Sequence, residues 1–158
     1  MTTEETDAVA RKIIDSNLYM TLGTADEAGH PWVSPVYFAV KGYTEFFWVS
    51  SPEARHSRNI GERPEVSIVI FDSTVPANSG EAVYMSATAE EVGGGDVERG
   101  IDIFSRRSVQ HGAGTWTKDD VAPPERLRLY RAIATEHFVL GRDDRRIPVL
   151  TDRRSNQP

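Results

Sequence analysis

The chain has 158 residues, enough for one ordinary domain with a real core. Apolar residues make up 39% and charged residues 27%, which excludes a disordered chain, and the formal net charge of −6 argues against non-specific binding of nucleic acid or of anionic membranes. There is no cysteine, so disulfides, thiolate chemistry and cysteine-held metals are excluded.

The N-terminal stretch "MTTEETDAVARKIID" is acidic and lacks an apolar h-region, and no apolar run approaches the roughly 20 residues that span a bilayer. These features predict a soluble, cytoplasmic protein. Thr2 and Glu5 form an S/T-x-x-E capping box, and Val9, Ala10, Ile13 and Ile14 repeat at helical spacing, which predicts a helix over 3–16. "LYMTLGT" (18–24), "WVSPVYFAV" (32–40) and "EFFWVS" (45–50) read as an antiparallel meander on short turns. Pro35 marks its strand as an edge or a bulge. Trp32 and Trp48 lie on these strands and read as core or interface packing.

"SSPEARHSRNI" then follows the third strand. Ser51 suits an N-cap and Pro52 a first helical position, so a helix is expected to open there. "PEVSIVIFD" (64–72) is a central-strand run, and "EAVYMSATAEEV" (81–92) a long strand. Asp96 can cap a helix over 97–107, built on Val97, Ile101 and Phe104. A long polar connection carries Trp116. "ERLRLYRAIATEHFVLG" reads as two strand segments broken near Thr135, and "RRIPVL" as a short final strand. Residues 1–150 are expected to form a single domain and 151–158 a disordered tail. The whole is mainly β (α+β): six or seven antiparallel strands in a barrel, with two or three short helices at its rim.

Conventional motifs are missing. The four histidines, His30, His56, His111 and His137, show no metal-site spacing, and there is no nucleophile elbow, Walker A or dinucleotide fingerprint. What stands out is the strand-to-helix corner. Arg55 and His56 place cations in a first helical turn, where the dipole and free N–H groups already favour anions. Ser50 and Ser51 add hydroxyl donors. Solvated surface charge is the plain alternative, but a phosphate group would use all of these donors.

The order of the meander, "FFWVSSPEARHSRNI", the strand "VSIVIF" and the strand "EAVYMSATAEEV" resembles the FMN-binding split β-barrel superfamily of pyridoxamine 5'-phosphate oxidase-like proteins, over roughly residues 7–150. The resemblance implies a homodimer with cofactor at the subunit interface, and a small-molecule electron donor and acceptor. It implies that Val49 and Ser50 stand where the oxidase has an aromatic-Thr pair. Ala54, Arg55 and His56 then stand where a Ser-Arg-Lys run grips the FMN phosphate. Val33, Ser34 and Pro35 match the cofactor-binding strand without its Arg, and Ala82 replaces a Gln. Trp116 could cover a flavin ring from the partner subunit, and Phe138 and Arg146 fall near the family's C-terminal flavin contacts. The oxidase's Arg-x-His signature is absent, which speaks against the vitamin-pathway enzyme itself. Members of this fold bind FMN, the deazaflavin cofactor or haem. An FMN-dependent oxidoreductase is therefore expected, with a deazaflavin-dependent reductase or a non-catalytic flavin or haem binder as alternatives.

Overall fold

Alternating burial along the strands builds the molecule. In the strand β1 (Tyr19–Ala25), Met20, Leu22 and Thr24 are buried while the residues between them are not. The same period-2 pattern runs along β5 (Glu65–Phe71) and much of β6 (Ala82–Glu91), so each strand gives one face to the core. In this computed structural model, which describes residues 1–150, the remaining strands are β2 (Pro31–Tyr37), β3 (Ala39–Lys41), β4 (Glu45–Ser50), β7 (Arg128–Leu140) and β8 (Arg146–Pro148). All pair antiparallel in one sheet of order β2-β1-β5-β6-β7-β4-β3, with β8 added to β7. This curled sheet with α-helices at its margins is the expected α+β split barrel. The tail assigned to 151–158 lies outside the described residues.

Among the described residues eight strands form rather than six or seven, for local reasons. The expected strand over 32–40 breaks at Phe38, whose N–H instead bonds the Leu18 carbonyl (3.3 Å) and whose ring is wholly buried. The expected break near Thr135 is a bulge in one continuous strand. Ser86 pairs with Glu136 and Ala87 with Ala134, which leaves Thr135 extra, and its hydroxyl donates to the Ser86 carbonyl (3.1 Å). Pro35 sits on β2, which ends the sheet, as an edge strand allows.

Among the described residues three α-helices flank the sheet. In α1 (Thr3–Ser16) the capping box from Thr2 to Glu5 is formed, and Ala10, Ile13 and Ile14 enter the barrel core with Met20, Leu22, Phe46, Trp48 and Ile68. The helix α3 (Asp96–Gln110) starts one residue before, and ends three after, the expected span; Asp96 is its first residue, not its cap. It packs on the other face of β4 through a second cluster holding Phe47, Ile101, Phe104 and Leu129. Gly100 makes this approach possible, because a Cβ there would lie 2.8 Å from both Leu129 Cδ2 and Phe47 Cε1. Thus β4 is clamped on both faces, and its C-terminal end delivers Ser50 to the start of α2 (Arg55–Glu62).

Candidate functional site

The corner after β4 differs from expectation in where its helix starts. Ser51 does not cap α2. Its Oγ accepts from the Glu53 N–H (3.1 Å), and its carbonyl accepts from the Ala54 N–H (3.1 Å), which closes a separate turn. The helix therefore opens at Arg55, with Ala54 in the N-cap position, no side-chain cap and no acidic residue in the first turn. The first N–H groups of a helix have no intrahelical partner. Arg55 and His56 thus sit closer to free donors than the sequence suggested, at a positive end with no side-chain cap and no acidic residue in its first turn.

The two side chains diverge from there. His56 is buried and its Nε2 lies 2.9 Å from Ser50 Oγ, so these two expected site residues meet. Burial pushes the imidazole below its ordinary value of 6.5, the reverse of what a phosphate neighbour would do. Arg55 is exposed, and its guanidinium lies over the Trp32 ring, 4.3 Å from the centroid. Of the two strand tryptophans expected in core or interface packing, Trp48 is fully buried in the core, while Trp32 is 42% exposed and lies outside it. Arg55 and Trp32 share a cavity of about 580 Å³ with Arg58, His30, Asp26, Glu27 and Glu62.

The β2 edge completes the corner. Val33 is 65% exposed and Ser34 half-buried, on a strand with a partner on one side only. An unpartnered edge leaves N–H and C=O groups available. From Trp32 and Val33 a second cavity, of about 490 Å³, continues past Gly23, Ser67 and Ser86, and a third, of about 320 Å³, reaches Tyr84 and Phe138. Arg146 lies over the Tyr84 ring (4.4 Å), at the border of this apolar end.

Two expected residues face elsewhere. The Val49 side chain packs with the α3 cluster, leaving only its backbone for the corner. Trp116 also joins that cluster, meeting Phe104 edge-on at 5.6 Å. It lines a separate cavity of about 720 Å³ together with Glu98, Arg99, Asp102, Lys118 and Asp119. Within one chain Trp116 is not joined to Ser50, Arg55 and His56. Sequence reasoning missed Trp32 as an Arg55 contact. Its only signal was its place beside Val33 and Ser34.

The donors present fit a phosphate group: a guanidinium, the Ser50 hydroxyl, an imidazole that can take a proton, and an uncapped helix start without acids. Among the described residues no cluster of His, Cys, Asp or Glu could hold a metal ion. No described helix is long and apolar enough to cross a membrane.

Comparison with known proteins agrees with this architecture. A haem-binding protein from Mycobacterium smegmatis superposes with a TM-score of 0.68 at 19% identity, over 94% of this chain; the chain spans only 57% of that protein. HutZ, the haem storage protein from Vibrio cholerae, gives 0.67 at 23% identity, covering 85% of this chain and 94% of its own. An F420 reductase gives 0.57 at 18% identity, over 80% of this chain and 94% of its own. At these identities the likeness is one of fold. Haem and F420, two of the three cofactor classes expected from the sequence, thus occur on this fold. No curated protein matches the sequence. The family model for pyridoxamine 5'-phosphate oxidase matches residues 6–140, which is most of the chain. The chain belongs to the pyridoxamine 5'-phosphate oxidase family.

Proposed function

We propose that the protein is an FMN-binding oxidoreductase that works as a homodimer, with residues 1–150 as one binding unit, on a small-molecule electron donor and acceptor. The observation that carries this reading is Arg55, a guanidinium without an ion pair among the described residues, at an uncapped helix start beside an open strand edge. Bound FMN supplies reversible uptake of electrons or hydride. The chain's part is to bind, orient and shield.

Arg55 would hold the phosphate, with Ser50, the first N–H groups of α2 and His56 around it. Ser51 can still donate its hydroxyl, since its Oγ only accepts within its own turn. A phosphate monoester brings about two negative charges near pH 7 and three acceptor oxygens, enough to use these donors together. The ring would lie against the β2 edge at Val33 and Ser34, where backbone groups can meet its polar rim. Exposed apolar side chains there, Trp32 at 42% and Val33 at 65%, favour cover by a second copy, which could bring Trp116 to the ring from across the interface. The absence of cysteine suits a cytoplasmic setting. Asp26, Glu27 and Glu62 line the cavity beyond Arg55 and would repel a long polyanionic tail, which favours FMN over a deazaflavin cofactor.

A second reading, a non-catalytic haem binder, draws on His30. Its ring is exposed in the same cavity and its Nδ1 is tied to Asp26 (3.0 Å), an arrangement that leaves Nε2 open to a metal. The visible spectrum of the purified protein titrated with FMN and with haemin separates the readings. A flavin spectrum that bleaches with NAD(P)H or dithionite supports the first, and turnover with an acceptor then separates enzyme from carrier. A Soret band without flavin uptake supports the second, and uptake of neither refutes both.

A further inference from the structure

Arg55 is held by an aromatic ring, although acids lie near. Among the described residues its guanidinium makes no hydrogen bond and no ion pair, yet Asp26, Glu27 and Glu62 line the cavity it borders. Two of those carboxylates are engaged elsewhere. Asp26 accepts from the His30 backbone N–H (2.9 Å) and lies 3.0 Å from His30 Nδ1. Glu62 accepts from the Glu27 N–H (3.1 Å). A carboxylate partner would neutralise Arg55 and compete with an incoming anion. An indole face orients a guanidinium while leaving its charge and its N–H edge available.

The placement of the pair is built into the fold. Asn59, buried and one turn along α2 from Arg55, donates its Nδ2 to Thr24 Oγ1 (3.1 Å). Thr24 pairs with Trp32 across β1 and β2, and its hydroxyl reaches the Trp32 carbonyl at 3.5 Å. This polar bridge fixes α2 against β2 at the register that sets Arg55 over Trp32.

We propose that Trp32 is a positioning residue: it holds the Arg55 guanidinium, uncompensated, in readiness for the cofactor phosphate, and so sets the preference for a phosphorylated over an unphosphorylated flavin. This rests on the reading of Arg55 as a phosphate ligand. The test is the ratio of FMN to riboflavin affinity, by flavin fluorescence, in the wild type, Trp32→Leu, Trp32→Phe, Arg55→Ala and the Trp32→Leu/Arg55→Ala double variant. Leucine keeps apolar bulk on an exposed edge strand, and thermal melting verifies the fold. Loss of packing or of ring contact weakens both flavins alike and leaves the ratio unchanged; loss of positioning lowers the ratio.

Trp32→Leu is expected to lower the ratio about tenfold, Trp32→Phe to restore most of it, and Trp32→Leu to have no further effect once Arg55 is alanine. An unchanged ratio in Trp32→Leu, or effects of the two substitutions that multiply, overturns the proposal. A wild-type ratio near one refutes the phosphate reading itself, and that single measurement distinguishes the two failures.

Discussion

Gly100→Ala probes how tightly β4 is clamped. In a helix interior this change alone favours folding by about 1 kcal/mol. Here the new methyl would lie 2.8 Å from Leu129 Cδ2 and Phe47 Cε1, and 3.1 Å from Phe47 Cδ1. Both neighbours are almost fully buried, so neither can swing into solvent. Overpacking costs about 1–3 kcal/mol, and two simultaneous close contacts place this site toward the upper end. The balance is a destabilisation of about 1–2 kcal/mol, which in a protein this size lowers Tm by about 2–8 °C. Gly61→Ala is the internal control. It is exposed in α2, a Cβ there would meet nothing within 4 Å, and it should stabilise the protein by a fraction of about 1 kcal/mol. Urea melts of both variants read the two signs. A Gly100→Ala protein as stable as the wild type would refute the close packing of α3 on β4.

Val33→Asp should convert the proposed dimer to monomer in sedimentation experiments, because a carboxylate would enter the exposed apolar face, and cofactor affinity should fall with it. Burial lowers the pKa of both His56 and His137 from 6.5. The unfolded chain then binds protons that the native state refuses, so stability is complete above about pH 6.5 and declines as pH falls toward and through the lowered values. His137→Gln retains a donor for the Tyr43 carbonyl, which the His137 Nε2 approaches at 2.7 Å, and should flatten that decline in pH-dependent melts. Glu45 acts in a lower window. The Arg99 guanidinium first, and Arg131 second, hold its carboxyl below 4.5, so its support is lost only as pH falls beneath that value, and Glu45→Gln should leave the mild-acid slope intact. FMN binding should be accompanied by proton uptake near neutral pH, as His56 charges beside the phosphate; calorimetry in buffers of different ionisation enthalpy would expose its absence.

Local rules made much of this legible. Helix α1 announced itself through a capping box and a clear apolar period, and β5 through a mostly apolar, β-branched run. The cations at the corner were legible because Arg55 and His56 violate the usual charge preference of a first turn. What stayed hidden depends on pairing and exposure. Ser51 could cap a helix or close its own turn, and both satisfy the same backbone groups. The role of Trp32 turns on its exposure near the start of β2 and its contact with Arg55 from α2, which no local pattern announces. Thr135 looked like a chain break because a bulge and a turn disturb alternation alike.

Arg55→Ala removes the guanidinium proposed to hold the FMN phosphate. Each charge-assisted hydrogen bond to a phosphate is worth about 1.5–3 kcal/mol, a factor of about 10–150 in affinity. The wild-type protein should bind FMN at least tenfold more tightly than riboflavin, and Arg55→Ala should abolish most of this preference while riboflavin affinity and Tm barely change. Equal binding of the two flavins by the wild type, or a full FMN preference surviving in Arg55→Ala, would contradict it.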